Sequence, residues 1–172
     1  MALTRELSEM ACRLGKCAVL ARSDAMLDLE RSVCGCDYGS TGGTTRLEAE
    51  RIAQLLELRP GTKLLDLGAG SGWPGLYLGQ LTGCDVVMVD LPLAALRIAR
   101  ERAAADGLAQ RCEAVVADGA ALPFRDASFD ALNTIPRSFV VRPTSWACCG
   151  RVGVSRAMAP GWRSPSLPSH PH

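Results

Sequence analysis

The sequence predicts an α/β fold, a parallel sheet with flanking helices that runs out after its fourth strand. Three observations predict it. Short apolar runs each close on an acid: Leu64-Leu65 on Asp66, Val86-Val87-Met88-Val89 on Asp90, and Ala114-Val115-Val116-Ala117 on Asp118. Segments of helical period lie between them, so strands and helices alternate as in a parallel sheet. From about residue 136 the pattern stops, and six of the ten prolines fall in the last 37 residues.

Taken in order, residues 3–32 read as helical, with apolar positions at Leu3, Leu7, Met10, Ala11, Leu14, Val19, Leu20 and Leu27 and a candidate interruption at Gly15. A glycine-rich link, 35–43, follows. Thr45-Arg46-Leu47-Glu48 has the capping-box form, in which the threonine oxygen and the glutamate carboxylate satisfy free N–H groups reciprocally. The helix it opens is expected to turn Leu47, Ile52, Leu55 and Leu56 inward. Arg59-Pro60-Gly61 ends that helix and leads into a strand at Lys63–Leu67. A helix from Pro92 to Gly107 sets Leu93, Leu96 and Ile98 against Arg97, Arg100, Glu101 and Arg102. Ser128-Phe129-Asp130-Ala131-Leu132 begins the fourth strand. Three regions result: 1–44, a helical cap and link; 45–135, the α/β domain in part; and 136–172, a Pro/Arg-rich tail.

The motif with most chemistry is Leu64-Leu65-Asp66-Leu67-Gly68-Ala69-Gly70-Ser71-Gly72-Trp73-Pro74-Gly75. A glycine turn after a strand lets the main chain approach a ligand, and the N–H groups of the next helix start are expected to face it. A dinucleotide fingerprint G-x-G-x-x-G from Gly68 needs a third glycine where Trp73 stands, which argues against a nicotinamide-dependent oxidoreductase. The pattern here is G-x-G-x-G, with Asp66 two residues ahead. Asp90 lies 24 residues after Asp66, placed as a strand-end acid that can accept from ribose hydroxyls. The third block reads Asp118-Gly119-Ala120, then Leu122-Pro123-Phe124 and Ser128-Phe129-Asp130.

In this order and at these intervals, the three blocks resemble the class I S-adenosylmethionine-dependent methyltransferases, nearest the small-molecule group with the D-G-x-x-L-P-F signature. The resemblance covers about residues 31–135. It implies a Rossmann-like methyltransferase fold of strand order 3-2-1-4-5-7-6, of which this chain supplies strands 3, 2, 1 and 4. Strand 4 is then an exposed, aggregation-prone edge. It implies S-adenosylmethionine as cofactor and a small-molecule methyl acceptor. Gly68, Ala69 and Gly70 would pack on the amino-acid end, with Asp66 orienting its ammonium group. Asp90 would hold the ribose hydroxyls. Asp118 would accept from the adenine amino group, with Gly119 or Ala120 donating to a ring nitrogen and Leu91 and Leu122 sandwiching the ring. Tyr38 has two readings, a turn tyrosine or a flap over the sulfonium. Asn133-Thr134-Ile135-Pro136 lacks the first proline and the aromatic of the N-P-P-Y motif of amino-methylating enzymes.

Composition narrows the class further. Net charge is +1, with 48% apolar residues and 22% charged, as for a soluble globular domain. The tail holds Arg137, Arg142, Arg151, Arg156 and Arg163 and no acid, and reads as a solvated stretch rather than a nucleic-acid surface. No membrane span or signal-peptide layout is visible, so a cytoplasmic location is expected. Of the eight cysteines, Cys34-x-Cys36 and Cys148-Cys149 do not make a paired C-x-x-C metal framework, and Cys84 and Cys112 read as core. Cys34 and Cys36 near the cofactor turn leave an arsenic-type, cysteine-using methyltransferase as a minor alternative. The tail reads either as disordered or as altered sequence joined to a shortened domain, the second being favoured. The leading function is methyl transfer to a small molecule, its activity open to loss by truncation. The alternative is a non-catalytic fragment that binds cofactor or protein.

Overall fold

The computed structural model describes residues 4–40 and 42–134, and the backbone of 156–158. Three helices lead in, α1 (Arg5–Leu20), α2 (Asp24–Cys34) and α3 (Arg46–Leu55). Then come β1 (Lys63–Leu67), α4 (Gly75–Thr82), β2 (Asp85–Asp90), α5 (Leu93–Ala105), β3 (Cys112–Val116), β4 (Ala131–Thr134) and β5 (Arg156–Met158). The sheet order is β3-β2-β1-β4-β5 and every pairing is parallel. β4 is therefore not the edge that the sequence suggests: Ala131 to Asn133 pair with Arg156 to Met158. The rest of the tail, with Phe139-Val140-Val141, Cys148 and Cys149, lies outside the described residues.

Two boundaries differ from expectation. Gly15 does not interrupt α1. It is buried within it, where a Cβ would stand 3.3 Å from the Ala94 Cβ of α5. The break falls at residues 21–23, where Ser23 takes the extended conformation of an N-cap. The capping box at Thr45 and Glu48 forms, with both reciprocal bonds present. The inward face of α3 matches the expected one only in Ile52 and Leu56, however. Leu47 and Leu55 are exposed at 76% and 47%, and Ala49, Ile52, Ala53 and Leu56 are buried. That set follows i, i+3, i+4, i+7, and small alanines let the helix lie close on its neighbours.

The sheet buries different partners on its two faces, as strand alternation requires. Leu64, Val86, Met88 and Ala131 pack with residues of α3, α4 and α5, including Ile52, Leu56, Leu76, Leu78, Leu96 and Ala99. Leu65, Leu67, Val87, Val89 and Leu132 pack with Phe129 and, at their margin, Leu122 and Phe124. Two successive crossovers in one direction, β1-α4-β2 and β2-α5-β3, leave both helices on one face. The chain then reverses across β1 to reach β4. That reversal opens a crevice beyond the carboxyl ends of β1 and β4, the place where ligands bind in such sheets.

Candidate cofactor site

The crevice is a cavity of about 320 Å³. Its floor is the turn from β1 into α4, where Gly68 and Gly70 have φ of 81° and 54° and a side-chain-bearing residue would be strained. The amides of this turn are largely committed to the protein itself. Gly68 and Ala69 donate to the Val89 carbonyl at 2.8 and 3.2 Å, Gly72 donates to Ala69 at 2.8 Å, and Gly70 donates to Asp90 Oδ2 at 2.7 Å. Of the helix-start amides expected to face a ligand, Leu76 donates to the Gly72 carbonyl at 2.8 Å and the Gly75 N–H turns to Asp66. Internal bonds shape the turn, and the surface of its main chain lines the cavity.

Three acids at the strand ends surround this floor. Asp90 accepts from Gly70 and, through Oδ1, from its neighbour Leu91 at 2.8 Å. Each carboxylate oxygen has two acceptor directions, so both keep capacity for hydroxyl donors. Burial raises the Asp90 pKa above the ordinary range, against the pull of those two amides. Asp66 is 2% exposed, and its Oδ1 accepts from Asn133 Nδ2 at 2.6 Å. Burial pushes its pKa up to about 6, opposed by the Asn133 amide and the nearby Gly75 N–H and helped by the charge of Asp90. Asp118 folds back to accept from Ala120 N at 2.9 Å.

Of the nine residues expected at the site, Asp66, Gly68, Ala69, Gly70, Asp90, Leu91, Asp118 and Gly119 line the cavity. Ala120 does not, and its amide is taken by Asp118. Leu122 packs against the Leu65–Leu132 cluster rather than lining the cavity opposite Leu91. Tyr38 is no flap. It is buried with its ring 3.8 Å from the Arg102 guanidinium carbon and 5.0 Å from the Trp73 ring.

The sequence reading missed the upper wall, which the link between α2 and α3 supplies through Gly39, Ser40, Gly42 and Thr44. A buried glutamate holds this link. Glu30 accepts from Gly39 N (2.7 Å), Ser40 N (3.1 Å), Ser40 Oγ (2.7 Å) and Cys36 Sγ (3.3 Å). Arg102 clamps the same link through Asp37, at 2.6 Å to Oδ1 and 2.8 Å to the carbonyl, holding the Asp37 carboxyl below its usual range. From below, Ser71 Oγ donates to the Gly39 carbonyl and Trp73 Nε1 to that of Thr44. Leu14 and Ala18 of α1 close one side. The density of glycine in 35–43 was the signal available for this wall.

The cysteine alternative finds no support in this geometry. Cys36 is buried with its thiol pushed up to about 12, by burial first and then by Glu30, and it lies outside the cavity wall. Among the described residues no three His, Cys, Asp or Glu side chains are grouped to hold a metal ion. Cys84 and Cys112 are buried in the core. No described helix is long and apolar enough to cross a membrane.

Comparison with known proteins meets this geometry. A methyltransferase domain model matches residues 64–158. A 24-methylenesterol C-methyltransferase 2 of Oryza sativa subsp. japonica is 38% identical over 91 residues, covering 53% of this chain and 25% of that protein. The ubiquinone/menaquinone biosynthesis C-methyltransferase UbiE of Cereibacter sphaeroides is 32% identical over 124 residues, 72% of this chain and 48% of that protein. The chain thus spans from a quarter to about half of the length of these relatives. In fold it is similar to a SAM-dependent methyltransferase from Thiobacillus denitrificans solved with S-adenosyl-L-homocysteine, with a TM-score of 0.55 at 21% identity over 63% of this chain and 44% of that one. The domain match takes in more than half of the chain and runs through every strand of the sheet, and on that ground the chain belongs to the methyltransferase-domain family, in its class I S-adenosylmethionine-dependent branch.

Proposed function

We propose that this chain binds S-adenosylmethionine in the crevice and serves methyl transfer to a small molecule. One observation carries the reading: Asp118 just beyond β3, Asp90 at the end of β2 and Asp66 near the end of β1 stand on neighbouring strands of the sheet, and all three line one cavity with the glycine turn as its floor. The donor set suits this cofactor. It offers carboxylates to an adenine amino group, two ribose hydroxyls and an ammonium group, in that order across the sheet. Asp66 Oδ2 is fully buried and, beside the nearby Gly75 N–H, meets no donor among the described residues, so it keeps acceptor capacity for a cationic ligand.

When bound, the cofactor supplies a methyl group already activated on its sulfonium. The residues of this chain then have positioning work to do. Asp90 fixes the ribose, Leu91 covers one face of the adenine, and the Gly68–Gly70 main chain seats the amino-acid end. Held at several points, the methyl carbon keeps one direction of approach for the acceptor, and such alignment is the larger part of catalysis for an activated group. The six cysteines among the described residues are free thiols, which fits a reducing, cytoplasmic setting.

Isothermal titration of the purified chain with S-adenosylmethionine and S-adenosylhomocysteine tests this reading. Micromolar binding is expected, weakened about ten- to a hundredfold in Asp90→Ala, as the loss of charge-assisted bonds implies. A folded chain that binds neither ligand overturns it. Binding without methyl transfer to any acceptor supports the non-catalytic alternative.

A further inference from the structure

A second cavity, a groove of about 800 Å³, runs between α1, the start of α5 and the end of β3. It is separate from the crevice, though Leu91 belongs to both walls. Two rows of α1 line it, each stepping four residues along the helix. Ala11, Gly15 and Val19 form the row against α5, where a Cβ on Gly15 would stand 3.3 Å from the Ala94 Cβ. Ser8, Cys12 and Lys16 form the row at the rim, and all three are exposed. Four large apolar side chains in this wall are left open to solvent: Val19 at 57%, Leu20 at 71%, Leu93 at 48% and Val116 at 45%. Apolar groups held exposed around one concavity mark a binding groove, where the same groups scattered singly over a surface would not.

Size and charge decide what fits. Eleven residues make the wall, against about 20–30 a side in a stable protein–protein interface, so the groove suits a small molecule. From Ser8 to Leu20, α1 gives it a length of about 18 Å, room for an extended chain or a fused-ring body. Lys16 is the single charged residue in the wall, and among the described residues it forms no ion pair. A lysine stem lies along apolar surface while its ammonium stays in water, so the cation stands at the mouth of the groove. One compact positive charge answers one singly charged head group. We propose that this groove is a second ligand site, which takes a small amphiphile with its apolar body between α1 and α5 and a carboxylate head at Lys16. The site goes beyond the cofactor reading and does not depend on it.

Two exposed thiols of α1 give the test its readout, Cys12 in the groove wall and Cys17 outside it. The full chain is alkylated with N-ethylmaleimide, and each thiol is followed by peptide mass spectrometry. The probes share one chain length and differ in head group: decanoate, decanol and decyltrimethylammonium, each below its micelle concentration. Saturating decanoate is expected to slow the modification of Cys12 about tenfold and leave Cys17 unchanged, since a covered thiol reacts only from the free protein. Decanol should protect at several times the concentration, and decyltrimethylammonium least of all. Lys16→Gln is expected to weaken decanoate about fivefold, as for one exposed ion pair, and to leave decanol unchanged. Leu93→Glu, at an exposed position that tolerates a polar side chain, should abolish the protection by decanoate. No protection of Cys12 by any probe overturns the site. Equal protection of Cys12 and Cys17 overturns it too, because the probe then coats the helix at large. Decanoate, decanol and decyltrimethylammonium protecting alike, or Lys16→Gln without effect on decanoate, overturns the carboxylate assignment. No adenosyl ligand enters the experiment, so each of these failures leaves the cofactor reading where it stands.

Discussion

Asp90 Oδ2 accepts the Gly70 amide at 2.7 Å, so the acid that ends one strand holds the glycine turn that follows its neighbour. Affinity and turn geometry are thereby coupled in one side chain. Asp90→Ala should lower the stability of the ligand-free chain by about 2 kcal/mol, since it frees the partly buried amides of Gly70 and Leu91. Differential scanning calorimetry without ligand checks this. An unchanged Tm would mean that the turn holds itself through the Val89 carbonyl alone.

Ligand affinity should depend on pH through Asp66. Its pKa stands at about 6 in the folded chain against an ordinary 3.8. A cationic group binds best to the ionised form, so S-adenosylhomocysteine should bind fully above pH 6 and about tenfold more weakly at pH 5. Asp90, also raised, acts in the same direction. Stability should move the opposite way. A carboxyl with a raised folded pKa holds its proton more tightly in the native state, so the ligand-free chain loses stability as pH rises from about 4 to 6, by about 3 kcal/mol from Asp66. Titrations at pH 5, 6 and 7 follow the affinity and thermal melts of the ligand-free chain from pH 4 to 6 follow the stability, with Asp66→Asn as the reference that should respond less in both.

Gly75 opens α4 directly over Asp66. A Cβ there would strike Asp66 Oδ2 and come within 3.0 Å of Cγ. The carboxylate cannot swing away without giving up Asn133. Gly75→Ala should therefore cost about 1–3 kcal/mol and reduce cofactor affinity. Gly42→Ala, where a Cβ meets nothing within 4 Å, should leave Tm unchanged. Thermal melts of the two variants make the comparison.

Glu30 organises the upper wall from outside the cavity. Glu30→Ala would strand the Gly39 and Ser40 amides, at a cost of about 3 kcal/mol. The damage should centre on residues 36–44. Limited proteolysis is expected to cut there in the variant and not in the wild type, and saturating S-adenosylhomocysteine should slow the cut. Cleavage spread evenly along the variant would instead show global unfolding.

Much of the site was legible because each strand-end acid follows an apolar run that can only be a buried strand. Asp66, Asp90 and Asp118 announce themselves in that way, and the Gly68–Gly72 spacing places the turn between the first of them and its helix. Other residues gave no such sign. Glu30 looks like any polar residue on an amphipathic helix, yet it is 8% exposed. Tyr38 could be a turn residue or a flap until Arg102 and Trp73 are found on its ring. Leu47 and Leu55 look like core, but the α3 face that meets the body of the domain is built from alanines with Ile52 and Leu56.

The alternation of apolar runs, acids and helical segments determined the sheet, its parallel sense and the floor of the crevice, because those follow from local periodicity and from where glycine must stand. Tertiary structure alone decided the rest: the pairing of Asn133 with Asp66 across 67 residues of chain, the clamp of Arg102 on Asp37, and the addition of β5 outside β4. Each of these joins groups distant in sequence, and such contacts exist only once the folded chain has brought them within hydrogen-bonding reach.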